Sequence, residues 1–384
     1  MSSVNLPEVF KTFSEQRKNS FLKVKELKEK DIPVVGAYCT YFPKELVTAI
    51  GGVTVSLCAT SDETIGVAEE ELPKNLCPLI KSSYGFGKTD KCPYFYFSDL
   101  VVGETTCDGK KKMYEYMGTF KDVYVMQLPQ NQNEESFKLW LFEIKKMAAK
   151  IEEKFGTKIT EENLLNAIKL ENSVRKGLME ISEIMREDNP PLTGTELFNI
   201  LRGSEYRFDK EELTTELKKI KENLIAKKSS EDNSGKNRPM RILVTGCPIG
   251  GVFDKVVPVI EKNGGLVVAF ENCNGMKNIA NQVNTEGDLY ENMARRYLDI
   301  GCSVMSPNNK RMESIDELIR DYKVDGVIEI LLPMCHTYSV ESGRIKHTVK
   351  GHNIPFTSIT TDYSSSDSGQ VELRIAAFME MLRV

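Results

Sequence analysis

Eight short apolar runs, four toward each end of a 384-residue chain, constrain its fold more than any other feature. They are IPVVGAY (32–38), VTVSLC (53–58), DLVVGE (99–104), VYVMQLP (123–129), RILVTG (241–246), LVVAFE (266–271), DGVIEILL (325–332) and FTSITTDY (356–363). They read as strands of parallel sheets, buried by helices packed against their faces. Helical patterning separates them, as in PKELVTAIGG (43–52), with Pro near its start and Gly just past its end. Strands alternating with helices are the mark of βαβ units. Between the two sets of strands, residues 134–228 carry only helical periodicity, broken by DNPPLTG at 188–194.

The expected class is therefore α/β: two flavodoxin- or Rossmann-like domains with parallel sheets and a helical insertion between them. The expected boundaries are an N-terminal α/β domain (1–133), a helical region packing with it (134–228), a polar linker (229–239) and a C-terminal α/β domain (240–384). A composition 40% hydrophobic and 28% charged excludes global disorder. Fifty-one Lys and Arg against 56 Asp and Glu give a net charge of −5. Without a basic surplus, no nucleic-acid partner is expected. No run of about 18 apolar residues predicts a membrane span. The first 20 residues lack the apolar core of an export signal, so the expected location is the cytoplasm.

Nine cysteines stand beside three histidines, and no two cysteines are closer than 15 residues. There is no CxxC, which removes zinc-ribbon, thioredoxin-like and ferredoxin-like motifs. In a cytosolic chain these thiols read as free or as metal ligands rather than disulfides. Cys39, Cys58, Cys107, Cys247, Cys273 and Cys335 fall at or just past the ends of expected strands. Open α/β sheets bind ligands at that edge. Thiolates there suit iron–sulfur clusters, while a single buried cysteine is as often plain core. Two apparent motifs are set aside. SSYGFGKTD (82–90) lacks the first Gly of a Walker A loop, and GCPIGG (246–251) is not GxGxxG.

Longer segments carry a resemblance. AYCTYFPKELVTAIGG (37–52), LPKNLCPLIKSSYGFG (72–87), KCPYFYFSDLVVGETTCDGKKKMYEYM (91–117), ENCNGMK (271–277), GCSVMSPN (301–308), LLPMCHTYSVE (331–341) and TDYSSSDSGQVELRIAAFMEM (361–381) together resemble the 2-hydroxyacyl-CoA dehydratase D-component and benzoyl-CoA reductase family. The resemblance implies a [4Fe-4S] cluster held by Cys77, Cys107 and Cys335. Cys39, Cys273 and Cys302 also lie in matching segments. That surplus makes the chain similar to double-cubane-cluster proteins, whose [8Fe-9S] group needs six thiolates. The implied ligands are Cys39, Cys77 and Cys107 against Cys273, Cys302 and Cys335, with Cys92 as substitute.

The same resemblance implies a homodimer fed by an ATP-hydrolysing iron–sulfur activator and reducing a small-molecule substrate. One alternative it leaves open is a subunit of a 2-hydroxyacyl-CoA dehydratase, a lyase with a single [4Fe-4S] cluster. Another is a non-catalytic electron carrier. Glu45 and His336 are the candidate proton-handling residues, because reduction consumes protons. Against them stand plainer readings: Glu45 as a helix-dipole partner and His336 as a satisfied histidine. GKKK (109–112) reads as a solvated helix start.

Overall fold

The structure is a computed structural model that describes residues 5–12, 14–230 and 238–383. Its backbone divides into two compact units, one of Met1–Glu171 with Val283–Asp299 and one of Asn172–Gln282 with Ile300–Val384. Each contains one four-stranded, wholly parallel sheet. The eight runs read from the sequence are the eight strands. No helix among the described residues is long and apolar enough to cross a membrane.

In the first unit β1 (Val34–Ala37), β2 (Val53–Ser56), β3 (Leu100–Glu104) and β4 (Val123–Met126) lie in the order β2-β1-β3-β4. β1 and β3 are buried throughout, as central strands covered on both faces must be. The helix Glu134–Phe155 buries Phe137, Trp140, Ile144, Met147 and Ile151, the stripe that 3.6-residue periodicity prescribes. The Asn133 side chain caps its start, accepting from the Ser136 N–H. The helix Leu289–Leu298 packs on it, with Arg295 3.9 Å over the Phe137 ring.

In the second unit β5 (Met240–Gly246), β6 (Gly265–Phe270), β7 (Gly326–Leu331) and β8 (Phe356–Thr360) repeat the same order as β6-β5-β7-β8. Gly246 has φ +101, and a β-carbon there would overlap the Ile330 carbonyl, so the strand can end only on glycine. That explains the GCPIGG segment without a phosphate.

The helical region does not travel with the first domain as one body. Residues 134–171 do, but 172–230 belong to the second unit. The reason is visible at Arg241. This buried side chain is the second residue of β5 and donates to the carbonyls of Met185, Glu187 (2.7 Å) and Tyr322 (2.6 Å), tying the segment just before DNPPLTG to the second sheet. The helix Gly194–Ser204 then packs on β6, with Phe198 4.5 Å from Phe253 and 5.3 Å from Phe270. Of the expected linker, residues 229–230 end the helix Lys210–Ser230, and 231–237 lie outside the described residues.

Candidate functional site

A parallel sheet of order 2-1-3-4 reverses direction between its first and third strands, and ligands bind outside the carboxyl ends of those strands. Cys39 follows β1 and Cys107 follows β3; Cys247 follows β5 and Cys335 follows β7. Cys58 and Cys273 follow the second strands, and Cys77 and Cys302 lie between the second and third strands. Eight of the nine thiols thus form two sets of four at matching places. By topology Cys39 corresponds to Cys247 and Cys58 to Cys273. Cys92 has no counterpart.

Local structure separates these thiols. Cys77, Cys107 and Cys335 are the N-cap residues of the helices Pro78–Lys88, Asp108–Met117 and His336–Gly351, and none of their sulfurs caps the helix. A helix N-terminus favours negative charge and so favours thiolate. Cys92 also caps a helix, but its sulfur accepts from the Phe95 N–H at 3.4 Å, and burial pushes its thiol up. The Cys58 sulfur donates to the Tyr38 carbonyl at 2.9 Å, and the Cys247 sulfur accepts from the Leu332 N–H at 3.4 Å. Main-chain bonds therefore engage the three sulfurs outside the expected sextet. Among the described residues no group of three or more Cys, His, Asp or Glu side chains is arranged to hold a metal ion. Soft sulfurs on separate loops, several at helix N-termini, are nevertheless a donor set suited to an iron–sulfur group.

The charges near these thiols were not legible from the sequence. In GKKK, Lys111 and Lys112 are solvated and pair with Asp108 and Glu115, as expected. Lys110 is not solvated. It is buried, with Nζ 3.2 Å from the Tyr38 carbonyl and 4.0 Å from the Cys58 sulfur. Burial opposes its charge, but Cys58, Tyr114, Cys39 and Cys107 outweigh that and hold it well above the usual lysine range. The signal lay in the spacing: Lys110, Met113, Tyr114 and Met117 form one buried stripe.

The second unit buries a larger network. Glu271, at the end of β6, pairs with Lys277 (2.9 Å) and Arg311 (3.2 Å). Arg311 also binds Glu341 at 2.6 Å and donates to Thr245 at 3.1 Å. Lys277 donates to the Tyr338 hydroxyl at 2.9 Å, and that hydroxyl lies 4.0 Å from the Cys302 sulfur. Burial alone would raise Glu271, yet Arg311 and Lys277 hold it at about 2, so it stays ionised. Burial, with Cys302 and Cys273 nearby, pushes Tyr338 well above the usual phenol range.

Glu45 is buried in the first turn of the helix Glu45–Thr48 and accepts from the Tyr297 hydroxyl at 2.8 Å. Tyr297 also accepts from the Lys44 N–H, which ties residues 283–299 to the first unit. His336 is exposed at the start of its helix, beside Cys335. His352 lies 2.7 Å from Asp316. The GKT of residues 87–89 lies at the end of a helix, where Lys88 pairs with Glu71, so no phosphate loop exists there.

The comparisons with known proteins agree with this framework. The family model for the 2-hydroxyglutaryl-CoA dehydratase D-component matches residues 39–382, a span holding all nine cysteines. YjiM of Escherichia coli K12, provisionally named a dehydratase subunit, is 52% identical over 98% of this chain and 99% of its own. The (R)-phenyllactyl-CoA dehydratase beta subunit of Clostridium sporogenes is 24% identical over 97% of each chain. A benzoyl-CoA reductase subunit of Thauera aromatica is 19% identical over 95% of each. With a family model matching nearly its whole length, the chain belongs to the 2-hydroxyglutaryl-CoA dehydratase D-component family.

Proposed function

We propose that the chain is an iron–sulfur reductase subunit that reduces small molecules at low potential, taking electrons from an ATP-hydrolysing activator and working as a homodimer. The carrying observation is the doubling of thiols at the carboxyl edges of two sheets of identical order. In this reading Cys39, Cys77 and Cys107 of one unit and Cys273, Cys302 and Cys335 of the other hold a double-cubane [8Fe-9S] group. Such a group supplies one-electron reduction at low potential. Cys58, Cys92 and Cys247, whose sulfurs bond to main chain, are the three this reading leaves out. Around the thiols, Lys110, which interacts with Cys39 and Cys107, offsets the negative charge of the first set. The Tyr338 hydroxyl, backed by Lys277, stands beside Cys302 of the second.

A second reading has its own observation. Cys77, Cys107 and Cys335 are the cysteine N-caps whose sulfurs do not cap their own helices, a placement at three helix N-termini that suits three thiolate ligands to one [4Fe-4S] cluster in a 2-hydroxyacyl-CoA dehydratase subunit. The names of the relatives fit this lyase reading as well. Anaerobic purification, iron and sulfide analysis and EPR separate them. About eight irons per chain favour the double cubane, and about four favour the dehydratase. A chain that takes up no iron on reconstitution refutes both.

A further inference from the structure

One buried carboxyl of the first unit has no part in the chemistry above. Glu104 ends β3, three residues before Cys107, and is wholly buried. Neither of its carboxyl oxygens has a hydrogen-bond partner among the described residues. The Tyr114 hydroxyl is buried in the same condition. Its ring lies on the bare backbone of Gly103, where any β-carbon would overlap it. Tyr114 and Lys110 share one face of the helix Asp108–Met117, and the Tyr38 ring stands 5.5 Å from the Tyr114 ring.

The charged and titratable groups around Glu104 come from few elements. The helix Asp108–Met117 presents Lys110 and Tyr114. From the ends of β1 and β2 come Tyr38, Cys39 and Cys58, which face Tyr114 and Lys110, and Cys107 past the end of β3 also faces Lys110. On the β4 side the residue paired with Glu104 is the uncharged Met126. A carboxylate buried with no hydrogen bond from another residue is disfavoured, so the neutral acid is the resting form. Burial pushes Glu104 up to about 8, and the Lys110 ammonium, with the Glu104 backbone N–H, keeps it from rising further. A carboxyl so balanced can release its proton near neutral pH.

We propose that Glu104 is a proton-holding group serving the thiol-bearing edge of the first sheet, with Lys110 offsetting its carboxylate when the proton leaves. The assignment rests on the reductive reading above. The step balances simply. A one-electron reductant, in the cell the activator, supplies the electron, and Glu104 supplies the accompanying proton to the small molecule being reduced. Water then reprotonates the carboxylate.

Two measurements test it. On the iron-free chain, infrared difference spectra from about pH 6 to about pH 10 follow protonated carboxyl groups. A carboxyl band with a midpoint near about 8 is expected; it should vanish in Glu104→Gln and move to higher pH in Lys110→Met. No such band, or a midpoint in the ordinary carboxylate range, overturns the proposal. On the iron-loaded chain, an EPR-monitored redox titration with dithionite follows the reduction potential against pH. Reduction should take up a proton above about pH 8 and not below it. The potential should therefore fall with pH only on the alkaline side, and Glu104→Gln should be flat throughout with unchanged iron content. A flat wild-type profile, or a variant that matches the wild type, overturns it. A chain that takes up no iron refutes the functional reading and the proton's destination with it, while the band still decides whether Glu104 holds a proton.

Discussion

Replacing Arg311 with Met should destabilise the second unit by about 3–5 kcal/mol and blunt its sensitivity to acid. Arg311 is fully buried and reaches Glu271 (3.2 and 3.3 Å), Glu341 (2.6 Å) and Thr245 (3.1 Å). Methionine fills much of the volume but leaves two buried carboxylates short of a partner, and that drives the loss. The pH dependence follows from Glu271. Its carboxyl is held at about 2 against a usual 4.5. A depressed carboxyl contributes stability above its unfolded value that is lost as pH falls through its folded one. Here that contribution is roughly 3 kcal/mol, present above about pH 5 and lost toward about pH 2. In the variant, burial pushes Glu271 up against Lys277 and Thr245 alone, so this contribution shrinks. Urea titrations of the iron-free chain at several pH values, followed by far-UV circular dichroism, measure both effects. Trp140, the sole tryptophan, sits in the first unit, so its fluorescence gives that unit a separate trace. A loss below about 1 kcal/mol at neutral pH, or an acid limb as steep as the wild type's, would refute the reasoning.

Further outcomes follow from the same geometry. Cys107→Ala should lose iron, whereas Cys58→Ala and Cys92→Ala should keep it; iron analysis showing the reverse pattern would overturn the ligand choice. Gly103→Ala drives a methyl into the Tyr114 ring and should cost about 1–3 kcal/mol in urea unfolding, with Tyr114 displaced. Tyr338→Phe removes the hydroxyl beside Cys302 but leaves Lys277 paired with Glu271. It should retain full iron content and lose only about 1–2 kcal/mol, as read by iron analysis and urea titration.

Much of the fold was legible because strand signals are local. Val34–Ala37 and Gly326–Leu331 are unbroken buried runs, and a strand covered on both faces can hardly be written otherwise. The helical region divides where a long-range contact decides. Nothing within 172–228 announces that its backbone carbonyls at Met185 and Glu187 will meet Arg241. Candidate ligands were visible as cysteines past strand ends. Their electrostatic surroundings were not, because the same residue type in one short run takes opposite fates. Lys110 is buried, while Lys111 and Lys112 are solvated, and only the phase of the helix distinguishes them.

The sequence by itself determined two parallel α/β sheets, the absence of paired-cysteine motifs and the family. All three depend on patterns and motifs written along the chain. The tertiary structure alone decided which sulfurs the main chain engages, which charges are buried beside the others, and that Glu104 has no partner for its carboxyl among the described residues. The physical reason is that desolvation and pairing depend on groups distant in sequence. Glu271 and Arg311 lie forty residues apart, yet only together are they stable inside the protein.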